Sequence, residues 1–197
     1  ILCDNPLYAE THALHSVMQA KAYIGHGFAL VFSDILFDHE ILSQLIRTGK
    51  DIVLAIDSSY RYHKHDVDKR LDLVVSKKNF DAQFRSLGRE PATELVRVGK
   101  NFGGDRADYE FIGMAYLSEE GARALRTVYE ERLDAPEGPF HEAASFARAD
   151  ITDMIQELID RGYPVHGVEA TKGWREIHSR QDVEVAEAEM AAMPQGV

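Results

Sequence analysis

Cysteine occurs once in the 197 residues, as Cys3. No internal disulfide is possible, and the chain suits a reducing, cytoplasmic compartment. Basic residues are also scarce: 22 Lys and Arg face 33 Asp and Glu, for a formal charge of −11. That balance argues against nucleic acid as a partner, because such binding relies on cationic patches that release counterions. No apolar run approaches the roughly 20 residues that cross a bilayer, and no secretory signal is visible, so no membrane partner is expected. There is no Gly-rich phosphate loop set between a strand and a helix, and no serine nucleophile elbow. Covalent catalysis by a side chain is therefore unsupported.

What is present is the composition of one globular domain over residues 1–197, 45% apolar and 28% charged. Ala13, Val17, Ala20 and Ile24 share a helical face in "ETHALHSVMQAKAYI", with Thr11 as cap. "FALVF" and "DIVLAID" are continuous apolar strands that end on acid, at Asp34 and Asp57. Asp38 opens a helix through Ile46 that Gly49 stops. "RLDLVVSKK" and "TELVRVGK" alternate as half-buried antiparallel strands do, and "YEFIGMAYLS" is a further strand. Helices are predicted from Ser118 to about Leu133 and from Asp150 or Thr152 to Gly162, with "LDAPEGPF" as a loop between them. "YPVHGVEA" and "WREIHS" are the last strands, and Ser179 with Asp182 makes a reciprocal cap for a final helix. Early strand–helix alternation followed by antiparallel strands predicts an α/β domain with a mixed sheet flanked by helices. In such sheets ligands collect beyond the carboxyl ends of strands, which is where Asp34 and Asp57 fall.

Asp34 and Asp38 have two readings: turn and cap residues, which Asp favours, or ligands of a hard cation. Glu176 and His178, two apart in a short strand, point to one side and either complete a metal site or simply flank core residues Trp174 and Ile177. His63, His65 and Asp66 lack the spacing of a zinc site, and a solvated loop fits them better. The two histidines with Arg61 and Lys64 form a local basic patch suited to a phosphate-like anion, which Lys77, Lys78, Lys100 and Lys172 are candidates to join. "NFGGD" is expected to be a hairpin turn.

The blocks "NPLYAET", "VFSDILFDHEIL", "DIVLAIDSSY", "YEFIGMAYLSEEGA", "ITDMIQELIDRGYPV" and "GWREIHSRQDVEVAE", in this order, resemble the nucleotidyltransferase domain of phosphonate biosynthesis. In that family the domain is often fused behind phosphoenolpyruvate mutase, as in the fosfomycin pathway. More distant relatives are phosphocholine cytidylyltransferases and sugar-1-phosphate nucleotidyltransferases. The resemblance implies a Rossmann-like fold, Mg²⁺, and transfer of CMP from CTP to 2-hydroxyethylphosphonate or 2-aminoethylphosphonate with release of pyrophosphate. Asp34 matches the metal-holding strand-end aspartate. The family's second metal-binding aspartate follows W-x-E-I, and His178 stands at that place here, which makes Glu176 the substitute ligand. Asn5, Tyr8 and Thr11 match a block lining the acceptor side; Glu110 and Asp153 match polar positions facing the same cleft. The family's L-A-A-G-x-G-x-R signature is not in these residues. The chain is therefore expected to be the larger, C-terminal part of such a domain, without its nucleotide-binding unit and any mutase, and to bind CTP weakly by itself. A phosphocholine or sugar-phosphate acceptor, or a binding domain without catalysis, remains the alternative.

Overall fold

The structure is a computed structural model that describes residues 1–62, 70–77, 92–102 and 107–192. Its centre is β3 (Ile52–Asp57), every residue of which is buried. Alternation along that strand sends Ile52, Leu54 and Ile56 into one apolar cluster and Val53 and Ala55 into another. Both faces are thus covered, and this is why the strand reads as an unbroken apolar run.

On one side β3 pairs antiparallel with β6 (Tyr109–Leu117), and beyond that β1 (Phe28–Val31) lies antiparallel to β6. On the other side β3 pairs parallel with β7 (His166–Glu169), followed by β5 (Thr93–Gly99) and β4 (Leu73–Ser76). The sheet is mixed, as expected. β4 also pairs with the start of β6, at Leu73 opposite Glu110 and Val74 opposite Tyr109. A separate two-stranded ribbon joins β2 (Ile35–Phe37) to β8 (Trp174–Glu176).

Helices close the two faces. α3 (Glu119–Asp134) and α4 (Ile151–Asp160) bring Leu125, Val128, Met154 and Leu158 to the Ile52 face. α2 (His39–Arg47) brings Ile41 and Leu45 to the Val53 face. Local signals set their ends. Asp38 caps α2 by accepting from the Glu40 amide at 2.9 Å, and Ser118 caps α3 through the Gly121 amide at 3.2 Å. α5 (Arg180–Ala192) starts with the reciprocal Ser179–Asp182 cap.

The first helix departs from expectation. α1 spans only Ala13–Met18, and its buried residues are Leu14, His15 and Met18; of the expected face, Ile24 is buried and Val17 packs against the core, whereas Ala13 is exposed. Thr11 does not cap it; its hydroxyl donates to the Leu7 carbonyl at 2.9 Å. A buried histidine accounts for the turned face. His15 joins the Tyr129 hydroxyl at 2.8 Å and the Phe146 carbonyl at 2.7 Å, and these bonds satisfy both ring nitrogens inside the core.

Gly113 sits at φ +77° in β6, where the pairing with β3 slips between Leu54 and Ile56. Its carbonyl accepts from the Phe32 amide at 2.9 Å, and a Cβ there would lie 2.7 Å from the Phe32 ring. This bulge is therefore packed against the residue where β1 leaves the sheet, two residues before Asp34.

Candidate functional site

Asp34 lies in the tight turn that connects β1 to β2. The ribbon then sets its neighbours, because Ile35 pairs with Glu176 and the Ile177 amide donates to the Asp34 carbonyl at 2.8 Å. Residues 142 positions apart in sequence are thereby placed side by side. Ligand atoms of Asp34, Glu176 and His178 all lie within 4.8 Å of one another. His178 Nε2 stands 2.8 Å from Glu176 Oε1, and its Nδ1 stands 3.9 Å from Asp34 Oδ2.

Two anchors hold this arrangement. The Trp174 indole donates to the Asp57 carboxylate at 3.1 Å and fixes the start of β8 against the end of β3. Asp182, in the first turn of α5, accepts from the His178 amide at 3.0 Å and the Ser179 amide at 2.7 Å. The Ser179 hydroxyl and these amides hold the Asp182 carboxyl below its ordinary pKa. The side chains of Asp34, Glu176 and His178 are 39%, 27% and 54% exposed, so water and substrate oxygens can reach any ion held between them. Two carboxylates and an imidazole at this separation fit a divalent cation.

Beside the cluster opens a cleft of about 500 Å³, lined by Phe32, Ser33, Asp34, Ser16, Asp72, Lys100 and Asp150 among others. Lys100 is the single cation among the described lining residues. Its ammonium donates to Asp150 Oδ2 at 2.8 Å and stands 3.6 Å from Asp72 Oδ1. Burial works against that ammonium, but the two carboxylates outweigh it and raise the pKa. Burial likewise pushes Asp72 up to about 6, and its Oδ1 is buried with no hydrogen bond. For Asp150 burial is outweighed by Lys100 and His12, and its pKa is lowered.

Other expected site residues fall elsewhere. Asn5 and Thr11 are bonded to each other at 2.9 Å, and Asn5 also donates to Ser16 Oγ at 3.0 Å, so they brace the loop behind a cleft-lining residue. Tyr8 is 77% exposed and lines no part of the cleft. Asp153 does not face the cleft. Its two oxygens accept from the Asp150 and Glu142 amides at 2.8 and 3.0 Å, which makes it half of a capping box. Asp57 is buried and holds Ser59 and Trp174 instead of a ligand. Glu110 is buried inside β6, opposite Asp57 and Leu73. Arg61 donates to the Ala107 carbonyl and lies over the Tyr60 ring, rather than in the cleft with Lys100. Lys77 is paired with Glu94 at 2.8 Å. His63, Lys64, His65, Asp66, Lys78 and most of the "NFGGD" turn lie outside the described residues.

Sequence reasoning missed Asp72, Asp150 and Ser16 as cleft residues. Asp150 was visible only as a helix cap, and it serves as one while also holding Lys100. Asp72 precedes β4 in an alternating pattern where a polar residue implies solvent. Nothing local marks it as buried.

No protein-family model matches the chain, and no curated protein matches it in sequence. Solved structures do. The inositol-1-phosphate CTP transferase from T. maritima superposes with a TM-score of 0.62 at 18% identity, over 98% of this chain and 66% of that one. CTP:phosphocholine cytidylyltransferase (LicC) from Streptococcus pneumoniae gives 0.59 at 12%, over 94% and 67%. UTP-bound UGPase from Acinetobacter baumannii gives 0.59 at 13%, over 97% and 59%. The chain therefore spans about three fifths to two thirds of the length of these structures. It has the fold of these nucleotidyltransferases, and at such identities the likeness establishes the fold alone.

Proposed function

We propose that this chain is part of a nucleotidyltransferase that moves CMP from CTP to a small phosphorus-containing acceptor and releases pyrophosphate. The observation that carries the reading is the convergence of Asp34, Glu176 and His178, with Asp34 also lining the cleft that holds Lys100. The acceptor is a phosphonate by the order of sequence blocks; a phosphate monoester such as phosphocholine fits the structural likenesses equally.

The chemistry asks little of a general base. A phosphate monoester has its second pKa at about 6 and a phosphonate somewhat higher, so the acceptor is already substantially anionic at neutral pH. The barrier is repulsion between that anion and the triphosphate, and catalysis reduces to positioning and charge neutralisation. A divalent cation supplies most of that neutralisation when bound. Asp34 and its neighbours fix where such an ion sits. Lys100, kept protonated by Asp72 and Asp150, is the ammonium in the cleft available to the acceptor. Asn5 and Thr11 keep Ser16 in place at the cleft wall.

The test is pyrophosphate release by the whole gene product, with CTP and other nucleotides, against 2-aminoethylphosphonate, 2-hydroxyethylphosphonate, phosphocholine and sugar 1-phosphates. CTP-dependent release with one acceptor class is expected. No release with any pair would overturn the reading in favour of a binding domain.

A further inference from the structure

The donor set at Asp34 is not the one Mg²⁺ prefers. Mg²⁺ takes oxygen ligands, sheds water reluctantly, and is normally held by one or two carboxylates plus substrate phosphates. Imidazole nitrogen suits first-row transition metals, whose affinity for N/O sites rises from Mn²⁺ through Fe²⁺ and Co²⁺. Here one of the three side chains that converge is a histidine.

His178 is not a stray surface residue that happens to be near. The Ile177 amide before it donates to the Asp34 carbonyl at 2.8 Å, and its own amide and that of Ser179 after it donate to Asp182 at 3.0 and 2.7 Å, so the backbone on both sides is fixed. Its ring lies between the two carboxylates, 2.8 Å from one and 3.9 Å from the other. The imidazole thus stands beside the two carboxylates as a third donor before any ion binds.

We infer that the Asp34–Glu176–His178 site selects a first-row transition-metal cation over Mg²⁺, with His178 as the residue that sets the preference and Mn²⁺, the weakest binder of that series, as the most demanding probe of it. This rests on the reading of the site as a cation site, and it extends that reading from "a divalent ion" to the class of ion. It does not depend on which acceptor is used. Mn²⁺ remains compatible with phosphate oxygens in its open positions, so the site keeps its use in phosphoryl chemistry.

The experiment titrates the full chain with MnCl₂ and follows the bound ion by electron paramagnetic resonance, with pulsed detection of ¹⁴N coupling. Wild type is expected to bind Mn²⁺ with a nitrogen coupling, and Asp34→Asn to lose the ion. His178→Asp, checked for folding by circular dichroism, is expected to retain Mn²⁺ without the coupling. The excess of MgCl₂ needed to displace half of the Mn²⁺ should fall at least tenfold in that variant. No Mn²⁺ binding by the folded wild type, binding without nitrogen coupling, or an unchanged Mg²⁺ excess in His178→Asp each overturns the inference. Because these signals do not use CTP, they are independent of the pyrophosphate assay, and either proposal can fail while the other stands.

Discussion

Trp174 and Asp57 are 117 positions apart, and the indole of the first donates to the buried carboxylate of the second at 3.1 Å. The bond links the end of the central strand to the start of β8, which carries Glu176. Asp57 also accepts from the Ser59 amide at 2.6 Å and the Ser59 hydroxyl at 2.9 Å, so it anchors the ribbon without joining the cation cluster.

Asp57→Ala removes the acceptor of the half-buried Trp174 indole N–H, at a cost of about 1–3 kcal/mol where water cannot replace it. The expected result is a lower urea midpoint and a red-shifted emission from Trp174, the chain's one tryptophan. An unchanged spectrum would mean that β8 is held by the Ile35–Glu176 pairing alone.

Asp72 makes stability depend on pH. Burial raises its folded-state pKa from 3.8 to about 6, so the folded form holds the proton more tightly than the unfolded chain. The contribution is neutral below the unfolded value, grows unfavourable as pH rises between the two values, and is complete above the folded one. At about 1.4 kcal/mol per unit the full penalty is about 3 kcal/mol near pH 8. Asp72→Asn should therefore stabilise the protein at pH 8 and by about half as much at pH 5, measured by urea unfolding at both. A gain that is the same at the two pH values would show that ionisation of Asp72 is not the cause.

Gly113→Ala combines a positive φ with a contact of 2.7 Å to the Phe32 ring. Left-handed backbone and a side-chain clash each cost of order 1–3 kcal/mol. The melting temperature should drop by several degrees, and Mn²⁺ affinity should weaken, because Phe32 leads into Asp34. Retained affinity in a destabilised variant would show that the Asp34 turn is held by the ribbon and not by the bulge.

In the whole gene product, Asp34→Asn should lower kcat by at least about 10²-fold, the usual scale for removing one charge-stabilising group. Lys100→Met should act mainly on the acceptor KM, because its ammonium lies in the cleft and is not among the clustered ligand atoms of Asp34, Glu176 and His178. A loss confined to kcat, with KM unchanged, would place Lys100 at the transferring phosphorus instead. Steady-state pyrophosphate release separates the two.

Secondary elements were legible in the chain wherever a local cause sufficed. The apolar run of β3 follows from burial on two faces, and the caps at Asp38, Ser118 and Ser179–Asp182 follow from hydrogen bonds that span three residues or fewer. Asp34 and Glu176–His178 are candidates by residue type, and the resemblance, not their spacing, marks them as metal ligands. That they meet is a product of folding, because a ribbon between residues 35 and 176 is a long-range pairing that no local pattern encodes. Folding also settled which acids serve the scaffold and which face the cleft. Asp57 and Asp153 are consumed by amides and an indole, whereas Asp72 and Asp150 hold Lys100 in the cleft. A carboxylate looks the same in sequence whether its partner is a backbone amide beside it or a lysine fifty residues away, and only the packed chain supplies the partner.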